Sequence, residues 1–222
     1  MPLDTLVHSP GDTPVASIIV MHGLGADATD FLPFAREVDL SQVGPVRWVF
    51  PVAPTRPVTI NNGMRMRAWY DVLTMDFGPR REDEAGLRES AALVQALIER
   101  EIAAGVPAGR IVLGGFSQGC AMSLLTALRA PQRLAGVLGM SGYLPLATTL
   151  AAERSAANTG LPIFLGHGRF DQMIAIDRGR ETRDLLQQLG YDVEWHEYAM
   201  EHSVVPDEVA DLRKWLLEVL AT

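Results

Sequence analysis

The sequence predicts an α/β fold, with a mostly parallel central sheet and helices on both of its faces. Short apolar runs rich in β-branched residues alternate along the chain with longer segments whose apolar residues recur at helical spacing. Several runs, among them 15–21 and 111–115, are apolar almost throughout, as is typical of strands buried on both faces. A length of 222 residues is within the range of one domain. We therefore expect residues 1–222 to form a single domain.

The first three elements alternate strand, helix and strand. Residues 15–21 are predicted to be a strand because they are nearly all apolar and β-branched. Residues 29–38 are predicted to be a helix because apolar side chains recur at core-facing positions, namely Phe31, Leu32, Phe34, Ala35 and Val38. Residues 46–50 are again apolar and run into Pro51. This order is typical of a strand–helix–strand unit in a parallel sheet.

The rest of the chain continues the alternation after residue 82. An apolar stripe predicts a helix at 83–104, which Gly105 and Pro107 end. The further strands are predicted at 111–115, 135–140, 161–165 and 191–198, and the further helices at 121–130, 174–189 and 204–220.

Composition and charge exclude several classes of partner. The net charge is −8 and no stripe of Lys and Arg is present, so nucleic acid is not an expected partner. No uncharged apolar run approaches the roughly 18 residues of a membrane span, and the first residues lack the basic and apolar regions of a signal peptide. The single cysteine, Cys120, cannot form an intramolecular disulfide. We expect a cytoplasmic protein without stable membrane insertion.

The chain is organised around the stretch Gly115-Phe116-Ser117-Gln118-Gly119. It lies between a predicted strand and a predicted helix, which is the setting of a nucleophile elbow. The serine of such an elbow occupies a strained turn, and the flanking glycines allow close approach of neighbouring backbone. Glycine and serine also suit an ordinary tight turn, so the motif needs support from elsewhere in the chain.

That support comes from two later loops. A serine nucleophile needs a general base, and the base needs a carboxylate that fixes its tautomer. Asp171 follows the strand predicted at 161–165, and His202 follows the strand predicted at 191–198. Ligands of open α/β folds bind outside the carboxyl ends of the strands, so we expect Ser117, Asp171 and His202 to meet there.

The remaining histidines and acids have simpler explanations. His8 lies in the N-terminal arm, His167 precedes the acid, and His196 lies inside a strand. His22 is expected to shape the loop that follows the first strand, and neither Asp76 nor Asp177 follows a strand end. Cys120 is expected to be a small buried thiol.

The loop at 22–27 permits more than one interpretation. The backbone N–H of Leu24 and that of Gln118, the residue after the serine, could form an oxyanion hole. Alternatively, 23–28 matches a Gly-x-Gly-x-x-Ala dinucleotide fingerprint, or it is only a structural turn. A dinucleotide site needs an acid after the next strand, but 46–50 is followed by Pro51-Val52-Ala53-Pro54. The oxyanion hole is therefore preferred.

The segment 51–82 lacks clear periodicity and is predicted to be irregular. Long irregular stretches inside a compact domain are often functional loops. Aromatic, thioether and apolar side chains cluster here, and we expect several to line a pocket for an apolar chain, namely Met64, Trp69, Leu73, Met75 and Phe77. The alternative is a satellite apolar cluster beneath a loop.

A set of motifs spread over nearly the whole chain also carries a family resemblance. They are His22-Gly23-Leu24-Gly25, Pro51 to Pro57 with Val58-Thr59-Ile60-Asn61, Ala68-Trp69-Tyr70-Asp71, Gly114 to Gly119, His167-Gly168 with Asp171, and His202. In these motifs the sequence resembles the bacterial carboxylesterases and acyl-protein thioesterases of the lysophospholipase type, within the α/β-hydrolases. The resemblance implies an α/β-hydrolase fold and a serine esterase. It also implies Ser117 as nucleophile, Asp171 as acid and His202 as base.

The chain departs from that family at two points. Cys120 stands where the family usually has a second glycine. Gln172-Met173-Ile174 stands where the family usually has a Pro-Val type sequence after the acid. Neither departure removes a catalytic group.

The expected function is a carboxylesterase or thioesterase that acts on short to medium acyl esters through an acyl-enzyme, without a cofactor or a metal. The expected partner is a small-molecule or lipid-like acyl ester, or an acylated protein. The residues leave open the natural substrate, the choice between ester and thioester, and the oligomeric state, a homodimer included. A non-catalytic binding module of the same fold is the alternative function.

Overall fold

The structure is a computed structural model that describes residues 2–74 and 81–221. Its strands are β1 (Thr5–His8), β2 (Ala16–Met21), β3 (Val46–Pro51), β4 (Thr55–Val58), β5 (Met64–Arg67), β6 (Ile111–Phe116), β7 (Gly136–Met140), β8 (Pro162–Gly168) and β9 (Asp192–Tyr198). Its α-helices are α1 (Leu32–Glu37), α2 (Glu84–Ala103), α3 (Gln118–Ala127), α4 (Ala147–Glu153), α5 (Ile176–Gln188) and α6 (Pro206–Val219). In the described part, no helix combines the length and apolar character needed to span a membrane.

Seven strands form the central sheet in the order β1-β3-β2-β6-β7-β8-β9. Every neighbouring pair is parallel except β1 with β3, which is antiparallel. The strand β6, whose residues reach almost complete burial, lies at the centre. The mostly parallel sheet of the α/β-hydrolase fold is confirmed.

The core lies on both faces of this sheet. One apolar cluster includes Leu97 of α2, Met122 of α3 and Leu186 of α5. The other includes Phe34 of α1 and Trp215 of α6. Helices therefore cover both faces, as predicted, and the carboxyl ends of the parallel strands meet at one edge.

The segment 51–82 is more regular than predicted. It contains an antiparallel hairpin of β4 and β5, in which Asn62 and Gly63 adopt positive φ angles of 55° and 74°. The side chains of β5 are half-buried or exposed, and its alternating Met and Arg residues gave no apolar pattern. Edge strand β1 was missed for the same reason, because its residues are only partly buried. Residues 75–80 of the segment lie outside the described part.

Candidate active site

Ser117 occupies a sharp turn between β6 and α3. Its backbone has φ 57° and ψ −116°, a positive φ that is uncommon and strained for a residue other than glycine. A Cβ on Gly115 would overlap the backbone of Gly119, and a Cβ on Gly119 would overlap the carbonyl oxygen of Met21. Both glycines are needed for the turn to pack against the sheet. The serine thereby lies at the carboxyl edge of the central strand.

Replacing Gly119 by alanine is expected to destabilise the protein by about 3 kcal/mol or more, because the new methyl group meets rigid backbone on β2. The free energy of unfolding in urea measures this effect. Gly109→Ala is the matched control, since a Cβ on Gly109 has nothing within 4 Å. Equal stability of the two variants would contradict the close packing of the turn.

Cys120 fills the space behind the turn. A Cβ on Gly139 would lie 2.6 Å from the Cys120 sulfur, and one on Gly142 would lie 2.5 Å from it. The two glycines thus make room for the thiol. Burial, with a smaller effect from the charge of Glu208, raises the pKa of Cys120 to about 12. The thiol is therefore a packing group, as the sequence predicted.

Asp171 and His202 are hydrogen-bonded to each other. Asp171 lies just after β8 and His202 just after β9, and His202 Nδ1 is 2.7 Å from Asp171 Oδ2. Burial alone would raise the pKa of Asp171, but hydrogen bonds from His167, His202 and the Ile174 amide outweigh it and hold the pKa well below its usual range. An ionised carboxylate only accepts hydrogen bonds, so Nδ1 carries the proton. The other ring nitrogen, Nε2, is left to act as a base.

Asp171 holds its own loop in place through hydrogen bonds. Its Oδ1 accepts hydrogen bonds from the backbone N–H groups of Met173 and Ile174, each at 2.8 Å. His167 is fully buried. Its Nε2 donates to the Ile174 carbonyl at 2.8 Å and lies 3.5 Å from Asp171 Oδ2. These contacts keep the loop that contains Gln172, Met173 and Ile174 in place. The structural role predicted for His167 is this one.

Ser117 and His202 open into the same cavity, which has a volume of about 650 Å³. Leu24 and Gln118, the predicted oxyanion-hole residues, also line it. The His202 ring packs on Phe116, the residue before the serine, with 4.6 Å between ring centroids. The structure thus brings together Ser117, His202, Leu24 and Gln118, with Asp171 bonded behind the histidine.

The loop that carries Leu24 is fixed beside the serine. Gly23 lies against Ser117, whose Cβ would be 3.4 Å from a Cβ on Gly23. His22 is bound on both ring nitrogens: Nδ1 donates to the Gly23 carbonyl at 2.7 Å, and Nε2 accepts from the Ala53 N–H at 3.1 Å. Burial lowers the pKa of His22, so the ring is neutral and structural, as predicted. These two hydrogen bonds hold the loop in place.

Gln118 serves the site in two ways. Its backbone N–H belongs to the first turn of α3, where N–H groups have no acceptor within the helix. Its buried side chain accepts from the Trp69 N–H at 3.0 Å and donates to the Tyr70 carbonyl at 3.0 Å. The residue therefore ties the segment after β5 to the turn of the serine.

Three of the pocket residues predicted from the sequence, Met64, Trp69 and Leu73, do not line this cavity. Trp69 is fully buried in the core, where its Nε1 donates to the His22 carbonyl at 2.9 Å. Met64 is 64% exposed on the hairpin, and Leu73 lines a separate small depression. Met75 and Phe77 lie outside the described residues. Within 51–82, the cavity is instead lined by Ile60, Tyr70 and Val72.

Most of the apolar lining comes from segments that the sequence did not connect with the pocket. It includes Phe31, Phe34, Phe116, Ile174, Val204, Val205 and Val209. Phe31 and Phe34 had been recognised only as core-facing residues of one helix. The acidic and basic lining residues are Asp30, Glu37 and His202, and no lysine or arginine lines the cavity among the described residues. In the same part of the chain, no group of His, Cys, Asp and Glu is placed to bind a metal ion.

Known proteins are similar to this chain over nearly its whole length. The sequence profile of the Phospholipase/Carboxylesterase family matches residues 4–220. The chain is 40% identical over 207 residues to acyl-protein thioesterase 1 of Yarrowia lipolytica, covering 91% of each protein. It is 36% identical over 228 residues to acyl-protein thioesterase 1 of Cryptococcus neoformans, covering 96% of this chain and 95% of that protein.

Solved structures extend the comparison. Zea mays acyl-protein thioesterase 2 superposes with a TM-score of 0.87 at 30% identity, covering 98% of this chain and 99% of that one. Arabidopsis thaliana SOBER1 superposes with a TM-score of 0.88 at 30% identity, covering 92% and 99%. The relatives at 36–40% identity are fungal, so they support the family but not the bacterial origin suggested by the motifs. The chain belongs to the Phospholipase/Carboxylesterase family of α/β-hydrolases, and it is a serine hydrolase of the esterase and thioesterase type.

Proposed function

We propose that this protein hydrolyses acyl thioesters or acyl esters by way of an acyl-enzyme, with Ser117 as the nucleophile. The observation that carries the proposal is the 2.7 Å bond between His202 and Asp171, in a site where His202 and Ser117 share one cavity. His202 Nε2 takes the serine proton as Oγ attacks the acyl carbonyl, and Asp171 stabilises the imidazolium that forms. The backbone N–H groups of Leu24 and Gln118 donate to the oxyanion.

The same groups release the thiol or alcohol and then hydrolyse the acyl-enzyme. The imidazolium gives its proton to the departing sulfur or oxygen atom. The thiol or alcohol leaves, and the acyl group stays on Ser117. His202 then takes a proton from water, and the hydroxide attacks the acyl-enzyme carbonyl. Collapse of the second oxyanion releases the carboxylic acid and returns the proton to Ser117 Oγ. No cofactor or metal takes part in this scheme.

The chemistry of the cavity supports an uncharged acyl chain. Its described lining is mainly aromatic and aliphatic, and its two carboxylates would repel an acyl group that ends in an acid. Short to medium acyl chains are therefore the proposed substrates, carried by a lipid-like ester or by a protein. The named relatives are acyl-protein thioesterases, which favours the acylated protein. We propose a cytoplasmic location, in keeping with the single buried cysteine, and action as a monomer or a homodimer.

A fluorophosphonate probe is expected to label the protein stoichiometrically at Ser117, because the probe reacts only with an activated serine. Peptide mass spectrometry identifies the labelled residue, and Ser117→Ala is the control that should remain unlabelled. A folded protein that resists the probe would contradict the proposal and favour the non-catalytic binding module.

A panel of butyryl, octanoyl, dodecanoyl and palmitoyl groups, each as ester and thioester, is expected to give a maximum in kcat/KM among the shorter members. The apolar lining binds each added methylene group until the chain outgrows the cavity. A flat response to chain length would contradict an apolar acyl pocket, and a carboxylate at the chain end should lower kcat/KM.

A further inference from the structure

Glu208 is a buried acid that the catalytic scheme does not use. It lies in the first turn of α6 and is 0% exposed. Neither carboxyl oxygen has a hydrogen-bond partner among residues 2–74 and 81–221. An unpaired carboxylate in such a site costs far more free energy than the neutral acid. The site therefore favours the neutral form of Glu208.

The carboxyl group of Glu208 is packed on the backbone of β8. Its Oε1 occupies the space that a Cβ on Gly166 would need, so the glycine makes room for the acid. Gly166 pairs in register with His196 of β9, and its carbonyl accepts the N–H of Ser141 after β7. The acid thus lies where α6 meets the ends of β7, β8 and β9.

This position connects Glu208 with the loops of the active site. Asp171 follows the end of β8, and His202 follows the end of β9. The helix α6 begins at Pro206, shortly after His202, and Val205 and Pro206 line the cavity. A displacement of the first turn of α6 would therefore move the segment that carries the catalytic base.

The neighbouring charge that acts on Glu208 is an acid, Asp211. Asp211 lies one turn further along α6, and the Tyr198 hydroxyl of β9 donates to it at 2.9 Å. His196 of β9 is held by Glu194 at 2.7 Å and lies 3.4 Å from Asp211. Cys120 of α3 is close enough for the charge of Glu208 to act on its thiol. Burial first, and then the charge of Asp211, raises the pKa of Glu208 to about 8.

We propose that Glu208 is a positioning residue for the catalytic loops: its neutral form holds the first turn of α6 against β8, and its ionisation displaces that turn together with His202. This inference rests on the proposed hydrolase function. The neutral carboxyl fits the unpaired site, whereas the carboxylate must move toward water or a cation to be stabilised. The enzyme is accordingly most active with Glu208 protonated.

The test is the pH profile of kcat/KM for an octanoyl thioester, with the uncatalysed hydrolysis subtracted, in the wild type and in Glu208→Gln. We expect the wild-type value to fall above pH of about 8, by up to tenfold per pH unit. Glu208→Gln keeps the shape and polarity without the ionisation, so its alkaline limb is expected to disappear.

Asp211→Asn is a second variant, in which the alkaline limb is expected to move and not to disappear. It still accepts the Tyr198 hydroxyl but removes the neighbouring charge, so the pKa of Glu208 falls and the alkaline limb moves to lower pH. Wild type and Glu208→Gln with the same alkaline limb would overturn the inference while leaving the hydrolase function intact. A Glu208→Gln that loses activity equally at every pH would also overturn it.

Unfolding provides a readout that does not depend on activity. The pKa of Glu208 is higher in the folded protein than its ordinary value of 4.5, so wild-type stability should fall as the pH rises from there to about 8. The melting temperature of Glu208→Gln, relative to the wild type, is therefore expected to increase over this range. A constant difference would overturn the inference, and a wild type without any hydrolytic activity would overturn it together with the proposed function.

Discussion

Replacing Ser117 by alanine is expected to lower kcat/KM for an acyl thioester by about five orders of magnitude. Without Oγ no acyl-enzyme forms, and His202 and Asp171 have no nucleophile to activate. The oxyanion donors at Leu24 and Gln118 and the apolar lining remain, so some acceleration over water should persist. Steady-state kinetics with purified protein measure the loss.

The matched control is Ser203→Ala. Ser203 follows His202 directly and lines the same cavity, but it lies on no strained turn. This variant is expected to retain most of the wild-type activity, and both variants should show wild-type unfolding transitions. A Ser117→Ala protein that kept a tenth of the activity would contradict the assignment of the nucleophile.

The local features of the active site could be predicted because each has a short sequence signal. The turn of Ser117 requires glycine on both sides, and those glycines stand in the sequence between an apolar run and a helix. Asp171 and His202 could be placed because each follows a strand, and parallel strands end at one edge. The hydrogen bond between them follows from that topology, although their separation in sequence does not suggest it.

The cavity walls could not be predicted in this way. The lining of the cavity combines segments around residues 31, 60, 72, 116, 174 and 205, which are far apart in sequence and meet only in the folded chain. Trp69 was assigned to the pocket because aromatic residues cluster near it, yet its indole N–H found a backbone acceptor in the core. Composition indicates that an apolar site exists but not which side chains form it.

The position of Glu208 in the sequence indicates that it is buried. In the predicted helix 204–220 it falls three residues after Val205 and four before Leu212, on the apolar face. A charged residue at such a position should be buried unless the helix rotates. The structure shows that it is buried, and Gly166 explains how the sheet accommodates it.

Asp171→Asn is expected to lower kcat/KM by about four orders of magnitude while preserving the fold. The acid accepts backbone N–H groups on Oδ1 and the His202 N–H on Oδ2. An amide has only one oxygen. If that oxygen holds the loop, its NH₂ group faces His202 Nδ1 and donates to it, so the ring proton moves to Nε2. His202 can then no longer take the proton from Ser117.

Asp171→Ala separates this effect from loss of the loop. It leaves the N–H groups of Met173 and Ile174 without their acceptor, which costs about 1–3 kcal/mol for the buried N–H of Ile174, whereas the asparagine variant keeps both bonded. Because the pKa of Asp171 is held below its ordinary 3.8, the carboxylate stabilises the wild type above that pH, and this advantage is lost as the pH falls through the lower, folded-state value. The stability difference from Asp171→Asn should therefore shrink in acid. An asparagine variant with near-wild-type kcat/KM would show that the base is oriented by something other than Asp171.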